Sequence, residues 1–356
     1  MKRVGILVGR EQTFPESIIK SINEKSGGKV VAEMVTVGGI RLDEPKKYDV
    51  IIDRISHEVP YYRAMLKRMA LEGTYVINNP FWWTADDKFF NYSVAHKLGV
   101  AIPKTVLLPQ KDYPSDVELT PESQKNLEYP VDWEGLLDYV GRPAILKPYS
   151  GGGWKHVYKV HNRTELLAAY DRTAPYCMTL QEFIDFDQYV RCFTFGKHDI
   201  VPVHYDPRER RYIVDHSYLG PELGDRVVRD ARTINDALGY EMNTIEFAVK
   251  DGVPYAIDFL NPAPDFERDR ITGHYFELVL DRMATLVIDR AVSGALTNPW
   301  PRWEQMTGLG AAAGVLGQPG AGAPSATASA AQTVRAADSE PAAPAARKPR
   351  ARKAEA

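Results

Sequence analysis

The chain has 356 residues, 44% hydrophobic and 26% charged, enough for a sizeable core and two or three domains of a soluble globular protein. A formal charge of −3 gives no electrostatic reason to expect a nucleic-acid or membrane partner. The two cysteines, Cys177 and Cys192, have no CxxC spacing, which argues against a disulfide framework or zinc site and fits a reducing, cytoplasmic setting.

The opening MKRVGILVGRE is too short for a signal h-region with a cleavage site and reads as a first strand. No apolar run approaches the length of a membrane span. RVGILVG (3–9) and YDVIID (48–53) read as buried parallel strands. PESIIKSINEKSG has helical spacing between them and ends at Gly27-Gly28. VPYYRAMLKRMALEG reads as a helix stopped by Gly73, and TYVINNP as a strand entering a turn. This βαβα order predicts a small α/β domain over residues 1–80. Phe81-Trp82-Trp83 reads as packing at a domain junction. A helix is expected from Thr84 to Leu98, with Thr84 as its cap and acids in its first turn.

GVAIPKTVLLP reads as extended, and residues 110–130 as a polar surface excursion. From 143 onward strands dominate: AILKPYS, KHVYKV, MTLQEFI, YVRCFTFG, DIVPVHYD and RRYIVDHS. NTIEFAVKDGVPYAIDFLNP predicts a hairpin turning at Lys250-Asp251-Gly252. HYFELVLDRMATLVIDRAV is a final helix that closes the folded part near 294. From about 305 the chain is rich in Ala, Pro, Gly and Ser, lacks aromatic residues and predicts a disordered tail over 305–356. Five basic side chains and one acid in its last ten residues read as solubilising.

Three stretches carry chemistry. In AILKPYSGGGWKHVYKV, an apolar strand delivers Lys147, and Ser150, Gly151, Gly152 and Gly153 follow. Backbone N–H groups of such a loop can surround phosphate oxygens, because no Cβ blocks the approach. The stretch matches neither GxxxxGK[ST] nor GxGxxG, so taken alone a flexible hairpin with a surface lysine competes with the phosphate reading. A lysine in an otherwise apolar strand favours function. In the acidic hairpin, Glu246 and Asp258 interrupt apolar runs and Asn261 follows. Two carboxylates and an amide oxygen on adjacent strands suit a hard cation bridging phosphates. In LQEFIDFDQYVRC, a strand edge can read an adenine, an acid or amide can hold ribose hydroxyls, and Arg191 can face a phosphate or carboxylate.

In order, these motifs (TADDKFF, LKPYSGGGW, LQEFI, IEF and IDFLNP) resemble the ATP-grasp superfamily. The nearer likeness is to its carboxylate–amine ligases: the ribosomal-protein glutamate ligase (RimK-type), glutathione synthetase and D-alanine–D-alanine ligase group. The resemblance spans about residues 1–290. It implies an α/β (α+β) ATP-grasp fold with a pre-grasp domain over 1–80 and a grasp domain over 81–300. The grasp domain would divide into a lid of about 105–185 and a C-terminal part of about 186–300.

It further implies that Lys88 and Lys147 hold ATP and that Ser150 to Gly153 cover its phosphates. Gln181, Glu182, Phe183 and Ile184 would form the adenine hinge, and Asp187 or Gln188 would lie near the ribose. Glu246, Asp258 and Asn261 would hold Mg²⁺ or Mn²⁺. Two departures stand out. Asp258-Phe-Leu-Asn261 is one residue longer than the usual Glu-x-Asn, so either the strand end bulges or Asn261 does not ligate. Tyr189 stands where the glutamate-ligase type carries an Asp.

The implied activity joins a small carboxylate to an amine, on an amino acid or a peptide. Arg191, with Arg226 and Arg229 as further candidates, would hold substrate anions. A phosphotransferase acting on a hydroxyl and a non-catalytic nucleotide-binding scaffold remain open. So does a homodimer, since dimers are common among the proteins this chain resembles. His156, His198, His204 and both cysteines read as structural or solvent-facing.

Overall fold

The computed structural model describes residues 1–81, 87–115, 117–118, 120, 122–215, 217–298 and 302–308. The first layer is a parallel sheet in the order β2-β1-β3-β4. Its elements are β1 (Lys2–Leu7), α1 (Thr13–Lys25), β2 (Val30–Met34), β3 (Val50–Asp53), α2 (Pro60–Leu71) and β4 (Tyr75–Ile77). The apolar runs of β1 and β3 are buried over residues 4–7 and 50–53, as a sheet covered on both faces requires. The edge strand β2 was not anticipated; its VVAEM is only partly buried.

The helix expected from Thr84 begins at Lys88. In α3 (Lys88–Lys97), Asp87 caps the N-terminus by accepting from the Phe90 N–H at 2.8 Å. Thr84, Trp82 and Trp83 lie outside the described residues.

A second, antiparallel sheet runs β5-β8-β6-β7. It comprises β5 (Thr105–Leu108), β6 (Ala144–Pro148), β7 (Tyr158–Val160) and β8 (Met178–Glu182). Two helices, α4 (Trp133–Val140) and α5 (Arg163–Tyr170), supply Leu137, Val140, Leu166 and Ala169 to its core. At eight residues each, they are too short to show helical periodicity. Asp132 and Asn162 cap them.

The third sheet is antiparallel in the order β11-β10-β9-β12-β13. It contains β9 (Gln188–Phe195), β10 (Asp199–Asp206), β11 (Arg211–Ile213), β12 (Met242–Lys250) and β13 (Val253–Asp258). One face packs on α6 (Pro221–Leu238), the other on α7 (Arg268–Ser293). Through Phe276, Val279 and Met283, α7 shares one core with Ile6 and Ile52 of the first sheet and Phe193 and Phe195 of the third.

Past 294 some described residues still pack on the fold. Trp303 and Met306 of α8 (Trp303–Met306) lie against the α6 core, with the Trp303 ring edge-on to Phe90 at 5.1 Å. The expected tail beyond 308 lies outside the described residues. Among the described residues no helix is long and apolar enough to cross a membrane.

Candidate active site

The hairpin of β12 and β13 turns at Asp251 (φ 51°) and Gly252 (φ 73°). Left-handed backbone at both central residues is the type I′ geometry that matches strand twist. From this turn Lys250 pairs with Val253, and Phe247 with Ala256. Continued without interruption, that register would set Glu246 against Ile257 and send Asp258 to the opposite face. Instead the ladder slips by one residue, and Glu246 stands opposite Asp258. The two carboxylates share a face because of this bulge at Ile257.

The Ile257 carbonyl accepts from the Tyr92 hydroxyl at 2.5 Å and from Lys147 Nζ at 3.2 Å. The longer Asp258-Phe-Leu-Asn261 spacing is closed by a buried amide. Asn243 Nδ2 donates to the Phe259 carbonyl at 2.8 Å, and Asn243 Oδ1 accepts from the Asn261 N–H at 2.8 Å. Asn243 also donates to Asn235 Oδ1 of α6 at 2.9 Å, and Asn235 donates to Thr194 Oγ1 at 3.1 Å. Asn261 is thereby brought beside β12, where its Nδ2 meets Thr244 Oγ1 at 3.1 Å.

Both predicted lysines reach this acidic end. Lys88 Nζ lies 2.9 Å from Asp258 Oδ1, and the Lys88 N–H donates to the Tyr149 carbonyl at 2.7 Å, joining α3 to the end of β6. Lys147 Nζ donates to the Tyr92 hydroxyl at 2.8 Å. Burial pulls the Lys147 ammonium below its usual range against the opposing charges of Asp258 and Glu246. The enclosing protein disfavours charge on Asp258, but Lys88 and Lys147 outweigh it and hold the carboxyl below its ordinary value.

Arg191 stands opposite Glu246 on β9 and pairs with it. Its guanidinium also donates to the Tyr212 hydroxyl at 2.7 Å and lies 3.9 Å from the Tyr205 ring centroid. Tyr189, the residue in place of Asp, donates its hydroxyl to Glu246. In this arrangement the Arg191 guanidinium is paired with Glu246 and Tyr212.

Around Ser150 to Gly153 the chain is open. Gly151 (φ 81°) and Gly153 (φ 74°) have left-handed backbone, and a Cβ at Gly151, Gly152 or Gly153 would meet nothing within 4 Å. Trp154 follows, 67% exposed. His156 packs its ring on Tyr176 at 4.5 Å.

Along the hinge, Gln181 Nε2 donates to Thr105 Oγ1 at 2.8 Å, and the Glu182 carboxylate accepts from the Lys104 N–H at 3.1 Å. Phe183 lies under Lys159 Nζ at 3.6 Å, and Ile184 is buried. Asp187 accepts from the Asp251 N–H at 3.1 Å and so ties the start of β9 to the hairpin turn. Gln188 beside it is exposed and pairs with Val249, about 10 Å along β12 from Glu246.

Other candidates fall elsewhere. Arg226 and Arg229 each lie 3.8 Å from Asp230. His198 pairs with Asp236 at 2.9 Å, and His204 stacks on Tyr218. Among the described residues no three or more His, Cys, Asp or Glu cluster as a metal site. The donor set at the bulge is of a different kind: two facing carboxylates and an amide. Hard oxygen donors of this kind suit Mg²⁺, which would have to displace the Lys88 and Arg191 cations paired with the two carboxylates.

Sequence reasoning missed Tyr92 and Asn243. Tyr92 lies four residues after Lys88 and hence on the same helix face. Asn243 is a lone amide at the head of an apolar strand.

No family model matches the chain, and no curated protein matches it in sequence. Solved structures do. A RimK domain protein ATP-grasp from Sphaerobacter thermophilus DSM 20745 aligns at 16% identity over 80% of this chain and 99% of its own, with a TM-score of 0.58. D-alanine–D-alanine ligase from Bacillus anthracis aligns at 16% identity over 82% and 98%, with a TM-score of 0.56. The ATP-grasp ligase PsnB, solved with a minimal precursor, Mg and ADP, aligns at 14% identity over 81% and 98%, with a TM-score of 0.53. The protein has the fold of the ATP-grasp ligases.

Proposed function

We propose that this protein is an ATP- and Mg²⁺-dependent carboxylate–amine ligase acting on an amino acid or peptide. One observation carries the reading: the Ile257 bulge turns Asp258 to face Glu246 and gives Lys147 a carbonyl anchor at the same point. Two lysines and two carboxylates therefore interact at the end of β12 and β13, which suits the phosphates of a nucleotide and the cation that accompanies them. The PsnB structure with Mg and ADP supports the same pairing of ligands.

In the proposed reaction a carboxylate oxygen attacks Pγ, the bond from Pγ to the β–γ bridging oxygen breaks, and ADP leaves. The amine nitrogen then attacks the acyl carbon, the carbon–oxygen bond to phosphate breaks, and a proton is released from nitrogen. Lys147 and Lys88 stabilise the negative charge on the transferring phosphoryl group. Glu246, Asp258 and Asn261 would hold Mg²⁺, which when bound neutralises phosphate charge. The open glycine loop suits a cover that admits nucleotide and then excludes water. The test is trapping of the acyl phosphate. With Mg-ATP and a pool of amino acids and peptides, hydroxylamine should yield hydroxamates in proportion to ADP. ADP formation without hydroxamate would count against an acyl intermediate.

A further inference from the structure

Resting on that nucleotide reading, we infer that Tyr92 is a positioning residue: its hydroxyl and the bulged Ile257 carbonyl form a two-point cradle that aims Lys147 at the nucleotide phosphates. Tyr92 lies one turn beyond Lys88 on α3 and is 3% exposed. Its ring packs edge-on to Phe259 at 5.2 Å. Its hydroxyl donates to the Ile257 carbonyl at 2.5 Å and accepts from Lys147 Nζ at 2.8 Å, and Nζ itself reaches the same carbonyl at 3.2 Å. Burial raises the phenol above its ordinary value, so the hydroxyl keeps the proton that it donates.

An ammonium has three N–H donors. Two point to the cradle, and the third is left for a ligand. A free lysine side chain loses rotamer entropy when it is fixed, so a lysine already held presents its charge to phosphate at lower cost. The carbonyl is available because the bulge turns Ile257 out of the ladder. One backbone irregularity therefore sets both the acid pair and the lysine. The competing view is that Tyr92 is a core aromatic whose hydroxyl merely needs a partner. In that case phenylalanine would lose some stability without changing how phosphate is recognised.

Isothermal titration of the full chain with adenosine and with ADP separates these. The readout is the ratio of the two affinities, which isolates the phosphate contribution. Tyr92→Phe is expected to leave adenosine binding unchanged and weaken ADP about tenfold, the scale of a hydrogen bond to a charged group. In a Lys147→Met background the same change is expected to have no further effect. An unchanged ratio in Tyr92→Phe, or a further tenfold loss in the Lys147→Met background, would overturn the inference. Should Tyr92→Phe fail to fold, Tyr92→Met also removes the hydroxyl, and the same ratio decides. If the wild-type chain binds neither adenosine nor ADP, the nucleotide reading fails first and takes this inference with it.

Discussion

Lys88 and Asp258 form a 2.9 Å ion pair between the first residue of α3 and the last residue of β13. The lysine is nearly enclosed while the carboxylate stays half exposed. The pair ties the start of α3 to the end of β13 and leaves part of the Asp258 carboxylate exposed.

Asp258→Asn keeps the shape and removes the charge. It should lower ATP turnover by about 10²–10³-fold, the range for loss of one electrostatic stabiliser of a transition state. ADP binding without Mg²⁺ should stay within a few-fold of wild type. ADP release and calorimetric binding, measured on the same sample, check this. Retained turnover would place the phosphate chemistry elsewhere.

Asn243→Ala should cost about 2–3 kcal/mol of stability. It leaves a buried carbonyl, N–H and amide without their partner, each such group costing about 1–3 kcal/mol with partial relaxation. It should also release the turn over Leu260 and lower turnover with Asn261. Urea unfolding measures the first effect. A loss below about 0.5 kcal/mol would show that the amide does not brace the turn.

Arg54, whose side chain is 0% exposed, lies between Glu11 and the rings of Phe14 and Phe266. Glu11→Ala leaves that guanidinium the Pro264 carbonyl but removes its paired carboxylate, and breaking such a buried pair typically costs about 3–5 kcal/mol. Replacing Arg54 and Glu11 together by Met and Leu should recover much of this. Equal losses in the single and double variants would contradict the account.

Glu267, just before α7, caps α1 by accepting from the N–H groups of Gln12, Thr13 and Phe14, each at 3.0 Å. Partial burial disfavours its charge, but these bonds outweigh that and hold its carboxyl below the ordinary value of 4.5. A depressed folded value means that this contribution is present above the ordinary value of 4.5 and is lost as pH falls through the folded value. Glu267→Gln should therefore melt lower than wild type at pH 7, and the gap should close toward pH 3. A gap that stays constant would assign the effect to shape alone.

Much of this was legible from sequence because it repeats. The apolar runs of β1 and β3, the turn at Asp251-Gly252 and the order of the five motifs announce the sheets and both lysines. The departures have local causes. β2 has only a half-buried pattern, and α4 and α5 span two turns each. α6 was not picked out at all, despite Pro221 at its start and Gly239 at its end. The longer Asp258-Phe-Leu-Asn261 spacing allows a bulge at the strand end, but its place at Ile257 follows from how β12 and β13 meet and not from either strand alone. Glu246 and Asp258 stand opposite one another only because of the slip. Arg191 reads from sequence as a partner for a substrate anion, a role its contacts leave open. Its engagement with Glu246 and Tyr205 depends on strand register, which single-strand patterns do not carry.

The most direct test of the central claim is product analysis of the full chain with Mg-ATP and pools of amino acids, short peptides and polyamines. The ligase account predicts equal amounts of ADP and free phosphate, formed only when a carboxylate and an amine are both present, together with a new amide. ADP without free phosphate, matched by a phosphate ester, would contradict it and identify a phosphotransferase. ATP bound tightly but never turned over by any pool would contradict it as well and leave a nucleotide-binding scaffold.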